Sequence, residues 1–323
     1  MHRLLALLTR LVSFLFGWLP FCGRRERLVG GAGKRVLVSG CDSGIGLRLA
    51  QRLHEAGYRV LAGCLSTDSE GARQLSKLRD RQHPVQVLQL DVTSDRSVQR
   101  ALVQGRVHDE GLCGLVNNAG VCVLGEFEWM TLEQVERTMA VNLLGTMRLT
   151  KACLPYIRQS KVRWWPAAPA MPCMSAYCAS KTAVESFTRC LRLELARHGA
   201  HAIVVRPGDL AKHTGIMKRQ GDDNEAMWDS MDEEQRSVHG PYVRGFVRGW
   251  KSQQGALSPA QLDDSPVFDH VEHALGSRSP RALYVSDSGV WPLFLCALSV
   301  LPTAFSDAVG SLYYKFLRRS GSE

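Results

Sequence analysis

The sequence predicts an α/β fold, a doubly wound parallel sheet with helices on both faces. Short apolar runs rich in β-branched residues alternate with helical patterns between residues 35 and 205. A glycine-rich turn joins the first of these runs to the helix that follows it. The chain has 323 residues, of which 45% are hydrophobic, so it can bury a sizeable core. Strands and helices that alternate in this way are typical of βαβ units and a parallel sheet.

The elements follow in order from residue 35. The first strand is predicted at 35–39, and the helix after it covers 45–56 and ends at Gly57. Further strands are predicted at 59–62, 86–90, 114–116 and 202–205. The helices between them are predicted at 69–79, 95–107, 132–160 and 179–197. An acidic helix is predicted at 222–234, over the edge of the sheet where substrates bind in such folds.

The residues that indicate a membrane contact lie mostly at the ends of the chain. The formal net charge is +9, and the first 35 residues supply +6 of it. A nucleic-acid groove needs basic residues on the folded domain, so we predict no nucleic-acid partner and a phospholipid membrane instead. Residues 1–22 are apolar, with Arg3 and Arg10 and no acidic residue. Such a segment is typical of a mitochondrial presequence, an interfacial helix or an uncleaved signal-anchor, and all three stay open.

Four motifs lie on the predicted elements in order. The first is the glycine turn Gly40-x-x-x-Gly44-x-Gly46, where the backbone can approach a pyrophosphate that binds at the helix N-terminus. The others are Asn117 to Gly120 after the fourth strand, Tyr177 and Lys181 one helical turn apart, and Pro207-Gly208 after the last strand. No cysteine pair stands at CxxC spacing, and no metal site is predicted.

Together these motifs resemble the short-chain dehydrogenase/reductase superfamily over about residues 34–285. The resemblance implies a Rossmann-like fold and divides the chain into a targeting or anchoring segment at 1–33, a dehydrogenase domain at 34–289 and an apolar C-terminal segment at 290–323. That last segment suits a membrane contact or a helix packed on the core. The stretches SGCDSGIG, LVNNAGV, VNLLGT and YCASK resemble the branch that holds D-3-hydroxybutyrate, retinol and hydroxysteroid dehydrogenases.

The resemblance implies a role for each matching residue. Tyr177 would be the general acid/base, and Lys181 together with the positive charge of the nicotinamide would lower its pKa. Lys181 would also hold the nicotinamide ribose, and Asn142 would order a proton-relay water. Asp91 would recognise adenine. The implied cofactor-binding residues are Gly40, Ser43, Gly44, Ile45, Gly46, Asp91, Val92, Asn118, Ala119, Gly120, Tyr177, Lys181, Pro207 and Gly208.

The cofactor is expected to be NAD, with NADP the less favoured choice. No Lys or Arg stands in the glycine turn or after the second strand to pair with a 2′-phosphate. No Asp stands at the tip of that strand either, where Cys64 and Leu65 occupy the expected ribose position. The choice of NAD therefore rests partly on the resemblance.

The expected substrate is a small hydroxy compound. Similarity at 263–275 and 301–309 favours D-3-hydroxybutyrate, with acetoacetate as product and the mitochondrial inner membrane as address. The alternatives are a retinol or hydroxysteroid dehydrogenase of the endoplasmic reticulum membrane, and a non-catalytic dinucleotide-binding protein. His201, Lys212 and His213 are candidates for binding a substrate carboxylate. The resemblance also implies a homo-oligomer.

One part of the sequence departs from the family pattern. The family's catalytic serine stands on a strand about thirteen residues before the tyrosine, but residues 161–172 contain no serine. Pro166, Pro169 and Pro172 lack the N–H donor that a central strand needs, so no central strand is expected here. The stretch is interpreted as a local frame or splice disturbance, or as a genuine variant loop. We expect cofactor binding with weak or absent turnover.

Overall fold

A computed structural model describes residues 31–78, 84–157, 162–164, 173–208, 210, 214–253 and 262–286, with isolated positions 304, 307, 308 and 311. The predicted membrane segment at 1–22 and the apolar run at 290–301 lie outside the described residues. None of the helices in the described part of the chain is long and apolar enough to cross a bilayer.

Parallel strands form the main sheet in the order β3-β2-β1-β4-β5. They are β1 (Arg35–Ser39), β2 (Arg59–Cys64), β3 (Gln86–Gln89), β4 (Gly114–Val116) and β5 (Val162–Trp164). Two further strands, β6 (Val204–Arg206) and β7 (Leu283–Val285), pair in parallel with each other. The strand order reverses between β1 and β4, and ligands of open α/β sheets bind at the carboxyl ends of such a pair. The predicted α/β fold is confirmed.

Helices flank this sheet and also follow it. They are α1 (Gly44–Glu55), α2 (Glu70–Ser76), α3 (Asp95–Gln104), α4 (Val107–Glu110), α5 (Leu132–Met139), α6 (Thr146–Ile157), α7 (Ser175–Ala196), α8 (Gln220–Ser230), α9 (Glu233–Gln253) and α10 (Val267–Gly276). The side chains of Ser69, Ser94 and Thr131 cap α2, α3 and α5, each by accepting a backbone N–H of the first turn. The predicted helix starts at 69, 95 and 132 therefore have a local cause.

Successive residues of β1 enter two different cores. Val36 packs with Leu49 of α1 and Phe268 of α10 on one face of the sheet. Leu37 packs with Leu149 of α6 on the other face. All five side chains are fully buried, and burial of one such side chain contributes about 1.5–3 kcal/mol to stability. Because both faces are covered, the strands are continuous apolar runs in the sequence.

The helix predicted at 132–160 is observed over 132–157, with a π-helical turn inside it. A π-helical turn, Ala140–Gly145, separates α5 from α6. The wider turn includes Asn142, whose side chain bonds to the backbone of Val121. Gly145 permits the arrangement because a Cβ there would lie 2.6 Å from Cγ2 of Val92. A π turn inside a helix frequently marks a functional site.

The acidic helix predicted at 222–234 is also divided. Helix α8 ends at Ser230, Met231 is extended with ψ of 137°, and α9 begins at Glu233. The side chain of Asp232 accepts the N–H of Gln235 at 2.7 Å, and the Gln235 side chain accepts the N–H of Asp232 at 3.1 Å. This reciprocal pair is a capping interaction of the capping-box type at the start of α9. The sequence contains it, but the single helix was predicted from the acidic composition of the stretch.

The proline-containing stretch begins with a strand. We expected no central strand at 161–172, yet Val162–Trp164 forms β5 and pairs with β4 in parallel register. These three residues precede Pro166, so their N–H groups are available for pairing. The expectation is corrected for the first residues of the stretch. In the hydrogen-bonded order β5 is an edge strand, and residues 165–172 lie outside the described part of the chain.

Candidate active site

Three positions of the turn between β1 and α1, 40, 44 and 46, favour glycine. Gly40 and Gly44 have positive φ angles of 70° and 56°, which residues with a Cβ rarely adopt. A Cβ on Gly46 would lie 2.1 Å from the carbonyl oxygen of Gly40. Ser43 is exposed and its side chain caps no N–H of α1, while Ile45 packs against the core. This turn fits a pyrophosphate bound at the N-terminus of α1.

Ser39 ties the carboxyl ends of β1 and β4 together. Its buried Oγ accepts the backbone N–H groups of Asn118 and Ala119, both at 3.1 Å. The Nδ2 of Asn118 donates to the carbonyl oxygens of Ser39 and Gly40, both at 3.0 Å. The predicted cofactor residues Asn118 and Ala119 therefore form one wall of the glycine turn. Ser39 was not predicted, although a polar residue at the end of a buried apolar strand is a signal.

Tyr177, Lys181 and Asn142 meet around Gly120. The Nζ of Lys181 lies 5.4 Å from the centre of the Tyr177 ring. A Cβ on Gly120 would lie 3.3 Å from both Nζ of Lys181 and Oδ1 of Asn142. The structure thus brings together the three predicted catalytic residues, and glycine at position 120 leaves space between them.

Burial dominates the titration of the catalytic pair. It lowers the pKa of Lys181 to about 8, and Lys181 is 3% exposed. It also raises the pKa of Tyr177 above its ordinary value, and two nearby buried thiols, Cys122 and Cys178, add to that rise. The lowering of the Tyr177 pKa by Lys181 and the nicotinamide charge stays a prediction for the cofactor-bound protein. A phenolate needs further positive charge here, and an oxidised nicotinamide ring carries such a charge.

The side-chain amide of Asn142 is fully engaged by the protein. Its Oδ1 accepts the N–H of Val121 at 2.9 Å, and its Nδ2 donates to the Val121 carbonyl oxygen at 2.9 Å. The Nδ2 also donates to Oγ of Ser180 at 3.0 Å, and that hydroxyl donates to the carbonyl oxygen of Tyr177 at 2.7 Å. Asn142 thus connects the segment after β4 to α7. Its relay role stays a prediction, and Ser180 is a contact that sequence reasoning missed.

Asp91 and Val92 follow β3 at the carboxyl edge of the sheet. The Oδ1 of Asp91 accepts the N–H and the hydroxyl of Thr93, at 2.8 and 2.7 Å. Val92 is buried against Gly145. Both residues therefore stand at the edge that also holds the glycine turn, and their contact with adenine stays a prediction.

The chain after β6 returns to the glycine turn. Pro207 and Gly208 follow β6 directly, and Gly208 has a positive φ of 75°. A Cβ on Gly44 would lie 3.0 Å from Cα of Thr214. The segment from Thr214 onward therefore lies against the turn, which sequence reasoning missed because it depends on a long-range contact. The placement of Pro207 and Gly208 near the nicotinamide stays a prediction.

An apolar wall adjoins Tyr177. We use this name for the buried cluster of Val123, Trp129, Met130, Ala176, Met227, Met231 and Val243. Ala176 directly precedes Tyr177, and Val123 belongs to the segment after β4. The Trp129 ring lies 5.3 Å from that of Tyr242 and 5.8 Å from that of Phe246, both edge-on. The wall is therefore an aromatic and methionine-rich part of the hydrophobic core.

Helix α8 is held in place by buried polar bonds. The Oε1 of Gln220 accepts the N–H of Leu124 at 2.8 Å, and its Nε2 donates to the Leu124 carbonyl oxygen at 2.7 Å. From α5, Nε2 of Gln134 donates to the carbonyl oxygen of Asp223 at 2.9 Å. Nη2 of Arg137 donates to Oδ1 of Asp223 at 2.6 Å. The helix is thus fixed to the segment after β4 and to α5.

The serine of the family pattern has no counterpart in the described site. Ser160 lies outside the described residues, and Ser175 is exposed at the first position of α7. Ser180 donates to a backbone carbonyl within α7. Trp164 occupies the last position of β5. The departure predicted from the sequence therefore persists among the described residues.

Comparisons with known proteins agree with this fold. The family model described as short chain dehydrogenase matches residues 34–225. Retinol dehydrogenase 7 of Rattus norvegicus is 38% identical over 85% of this chain and 87% of its own. Mitochondrial D-beta-hydroxybutyrate dehydrogenase of the same species is 34% identical over 86% of this chain and 84% of its own. The crystal structure of a short-chain dehydrogenase from Streptomyces avermitilis superposes with a TM-score of 0.61 at 22% identity, over 90% of this chain and 98% of that one.

Proposed function

The chain belongs to the short-chain dehydrogenase family, and we propose that it interconverts an alcohol and a carbonyl compound with NAD as cofactor. Proteins of this family are dehydrogenases that bind a nicotinamide dinucleotide. Tyr177, Lys181 and Asn142 meet around Gly120, beside the glycine turn, and this observation supports the proposal. The choice of NAD rests on the lack of Lys and Arg in the glycine turn and after β2.

In this proposal the residues of the chain hold the proton and orient the substrate. When bound, the nicotinamide accepts a hydride from the alcohol carbon or returns it to the carbonyl carbon. The Tyr177 hydroxyl exchanges a proton with the substrate oxygen, as the resemblance to the family implies. Lys181, protonated below about pH 8, favours the phenolate form.

The chemical step is proposed to be slow. A serine hydroxyl would supply one hydrogen bond to the developing oxyanion, and loss of one such donor typically lowers kcat by about 10²–10³. No described hydroxyl other than that of Tyr177 takes this place. Cofactor binding needs other residues, at β1, β4 and α1, and is expected to persist.

A lipophilic alcohol is the first candidate for the substrate. His201 stands at the amino end of β6, away from the carboxyl edge, and Lys212 and His213 lie outside the described residues. The retinol dehydrogenase relative supports this substrate class.

D-3-hydroxybutyrate, which the sequence favoured, remains the second candidate. Mitochondrial D-beta-hydroxybutyrate dehydrogenase of Rattus norvegicus is 34% identical, and the resemblance at 263–275, part of which forms α10, supports this candidate. That relative is a mitochondrial protein, so we propose membrane association with the mitochondrion favoured and the endoplasmic reticulum as the alternative. A homo-oligomer is proposed as well. Cell fractionation and light scattering of the purified protein test these two points.

The proposal is tested by cofactor binding and turnover on the full chain. NADH fluorescence measures binding, and NADH production from retinol, a hydroxysteroid and D-3-hydroxybutyrate measures turnover. Tyr177→Phe is expected to abolish turnover and to leave NADH bound. The matched control is Tyr156→Phe, on α6, where the hydroxyl contacts His108 and not the site. The proposal is contradicted if turnover survives in Tyr177→Phe or if the wild-type chain binds no NADH. If the wild-type chain binds NADH but shows no turnover, the non-catalytic alternative is supported.

A further inference from the structure

The tip of β2 lacks the acidic residue that dinucleotide-binding sheets commonly place there. In such folds a carboxylate after the second strand accepts the ribose hydroxyls of the adenosine. Here β2 ends at Cys64, which is buried, and the next residues are Leu65 and Ser66. Leu65 is 63% exposed and offers no hydrogen bond from its side chain. The strand itself therefore supplies no group that distinguishes a ribose from a 2′-phosphorylated ribose.

A carboxylate nevertheless reaches this position from the glycine turn. The Oδ2 of Asp42 accepts the N–H of Leu65 at 2.9 Å, and its Oδ1 accepts the N–H of Ser66 at 3.1 Å. Each carboxylate oxygen accepts more than one hydrogen bond, so both oxygens keep capacity for a ligand hydroxyl. The two backbone donors orient the group at the tip of β2.

The backbone of Asp42 is also held tightly. A Cβ on Gly71, in the first turn of α2, would lie 2.3 Å from the carbonyl oxygen of Asp42. Close contact with α2 on one side and the bonds to Leu65 and Ser66 on the other fix the residue between β1 and β2. The carboxylate is therefore part of the site and not an acidic side chain free in solvent.

The charges around this position are negative. The sequence has no Lys or Arg at 40–47 or at 61–72. Asp68 and Glu70 are exposed just beyond the tip of β2. A 2′-phosphate carries nearly two negative charges at neutral pH and would meet Asp42 without a basic partner from these segments.

Building on the proposed function, we propose that Asp42 selects NAD over NADP by holding its carboxylate at the tip of β2. It takes the place of an acidic residue on the strand, accepts a ribose hydroxyl and repels a 2′-phosphate. The selectivity arises from the backbone N–H groups of Leu65 and Ser66, which aim the carboxylate.

The test compares NADH and NADPH binding by fluorescence, so it does not depend on turnover. Wild-type protein is expected to bind NADH at least about tenfold more tightly, the effect of one unit charge a few ångströms away in partly screened surroundings. Asp42→Asn should shift the ratio of the two Kd values by about tenfold, mainly through tighter NADPH binding. The matched control is Asp68→Asn, which removes an equal charge that accepts no bond from the strand tip and should shift the ratio less than about threefold.

A second measurement uses unmodified protein and covers the case that Asp42→Asn fails to fold. Raising the ionic strength screens repulsion, so NADPH binding should improve relative to NADH binding in wild-type protein. An equal ratio in Asp42→Asn and Asp68→Asn, or a wild-type preference for NADPH that weakens with salt, overturns the inference. A wild-type chain that binds neither dinucleotide instead refutes the proposed function.

Discussion

Gln220 is expected to hold the segment that walls the active site. Its amide pairs with both backbone groups of Leu124, as a neighbouring strand would, while Asn142 pairs in the same way with Val121. The two amides thus hold the segment after β4 at both ends. Gln220→Leu keeps a similar volume and removes one of these two attachments.

The cost of Gln220→Leu follows from the groups that it leaves unpaired. They are the N–H and the carbonyl oxygen of Leu124 and the Oδ1 of Asn224, which now accepts Nε2 of Gln220 at 2.7 Å. A buried polar group without a partner costs about 1–3 kcal/mol. Leu124 is half-buried, so water replaces part of what its backbone loses. The expected loss of unfolding free energy is therefore about 2–4 kcal/mol.

Urea unfolding and hydrogen exchange measure this prediction. The Leu124 amide should exchange at least about tenfold faster in Gln220→Leu, because its acceptor is gone. Gln220→Glu keeps an acceptor for that N–H, so its unfolding free energy and its exchange rate should lie between those of the wild type and of Gln220→Leu. The matched control is Gln99→Leu, an exposed residue of α3, which should change stability by less than about 0.5 kcal/mol. If Gln220→Leu unfolds like the control and the Leu124 amide exchanges at the wild-type rate, the reasoning fails.

Two further predictions concern the glycine turn and the buried lysine. Gly46→Ala should weaken NADH binding at least about tenfold, because its Cβ would lie 2.1 Å from the carbonyl oxygen of Gly40. The control is Gly221→Ala, whose Cβ meets no atom within 4 Å and which should bind NADH as the wild type does. Similar NADH affinities in the two variants would contradict the prediction. Burial lowers the pKa of Lys181 from 10.5 to about 8, so the unfolded chain keeps a proton there that the folded chain releases. The free energy of unfolding should therefore rise between about pH 8 and 10.5, and urea unfolding of Lys181→Met should lack this rise. If the difference in unfolding free energy between wild type and variant stays the same across that pH range, the prediction is refuted.

The sheet was predictable where strands are buried on both faces. Strands β1 and β4 begin and end where the apolar runs predict, since such runs stand out from their polar neighbours. The division of the helix at Asn142 was not predictable, because the helical pattern continues through it. What widens that turn is a pair of bonds to Val121, and contacts over such a distance leave no local pattern.

The residues of the candidate site also divide into those that the sequence predicts and those that it does not. Tyr177 and Lys181 were predictable because four residues of helix place them on one face. Asp42 was visible in the glycine turn, but its contact with the tip of β2 depends on how α1 and β2 pack. Gln220 lies almost a hundred residues from Leu124, and nothing in the sequence around it indicates that contact.

The two halves of the site depend on different elements, so a defect in one need not reach the other. The cofactor half is built by the glycine turn, which Ser39 and Asn118 tie to β4 with four hydrogen bonds. The chemical half needs α7 and the strand that precedes it, where Trp164 ends β5 and the family's serine is missing. Burial raises the pKa of Tyr177 and so opposes the phenolate, whereas protonated Lys181 and a bound oxidised nicotinamide would favour it. Without a serine hydroxyl, the developing oxyanion has one fewer donor. Binding and turnover should therefore separate in this chain, with NADH affinity near that of its relatives and kcat well below theirs.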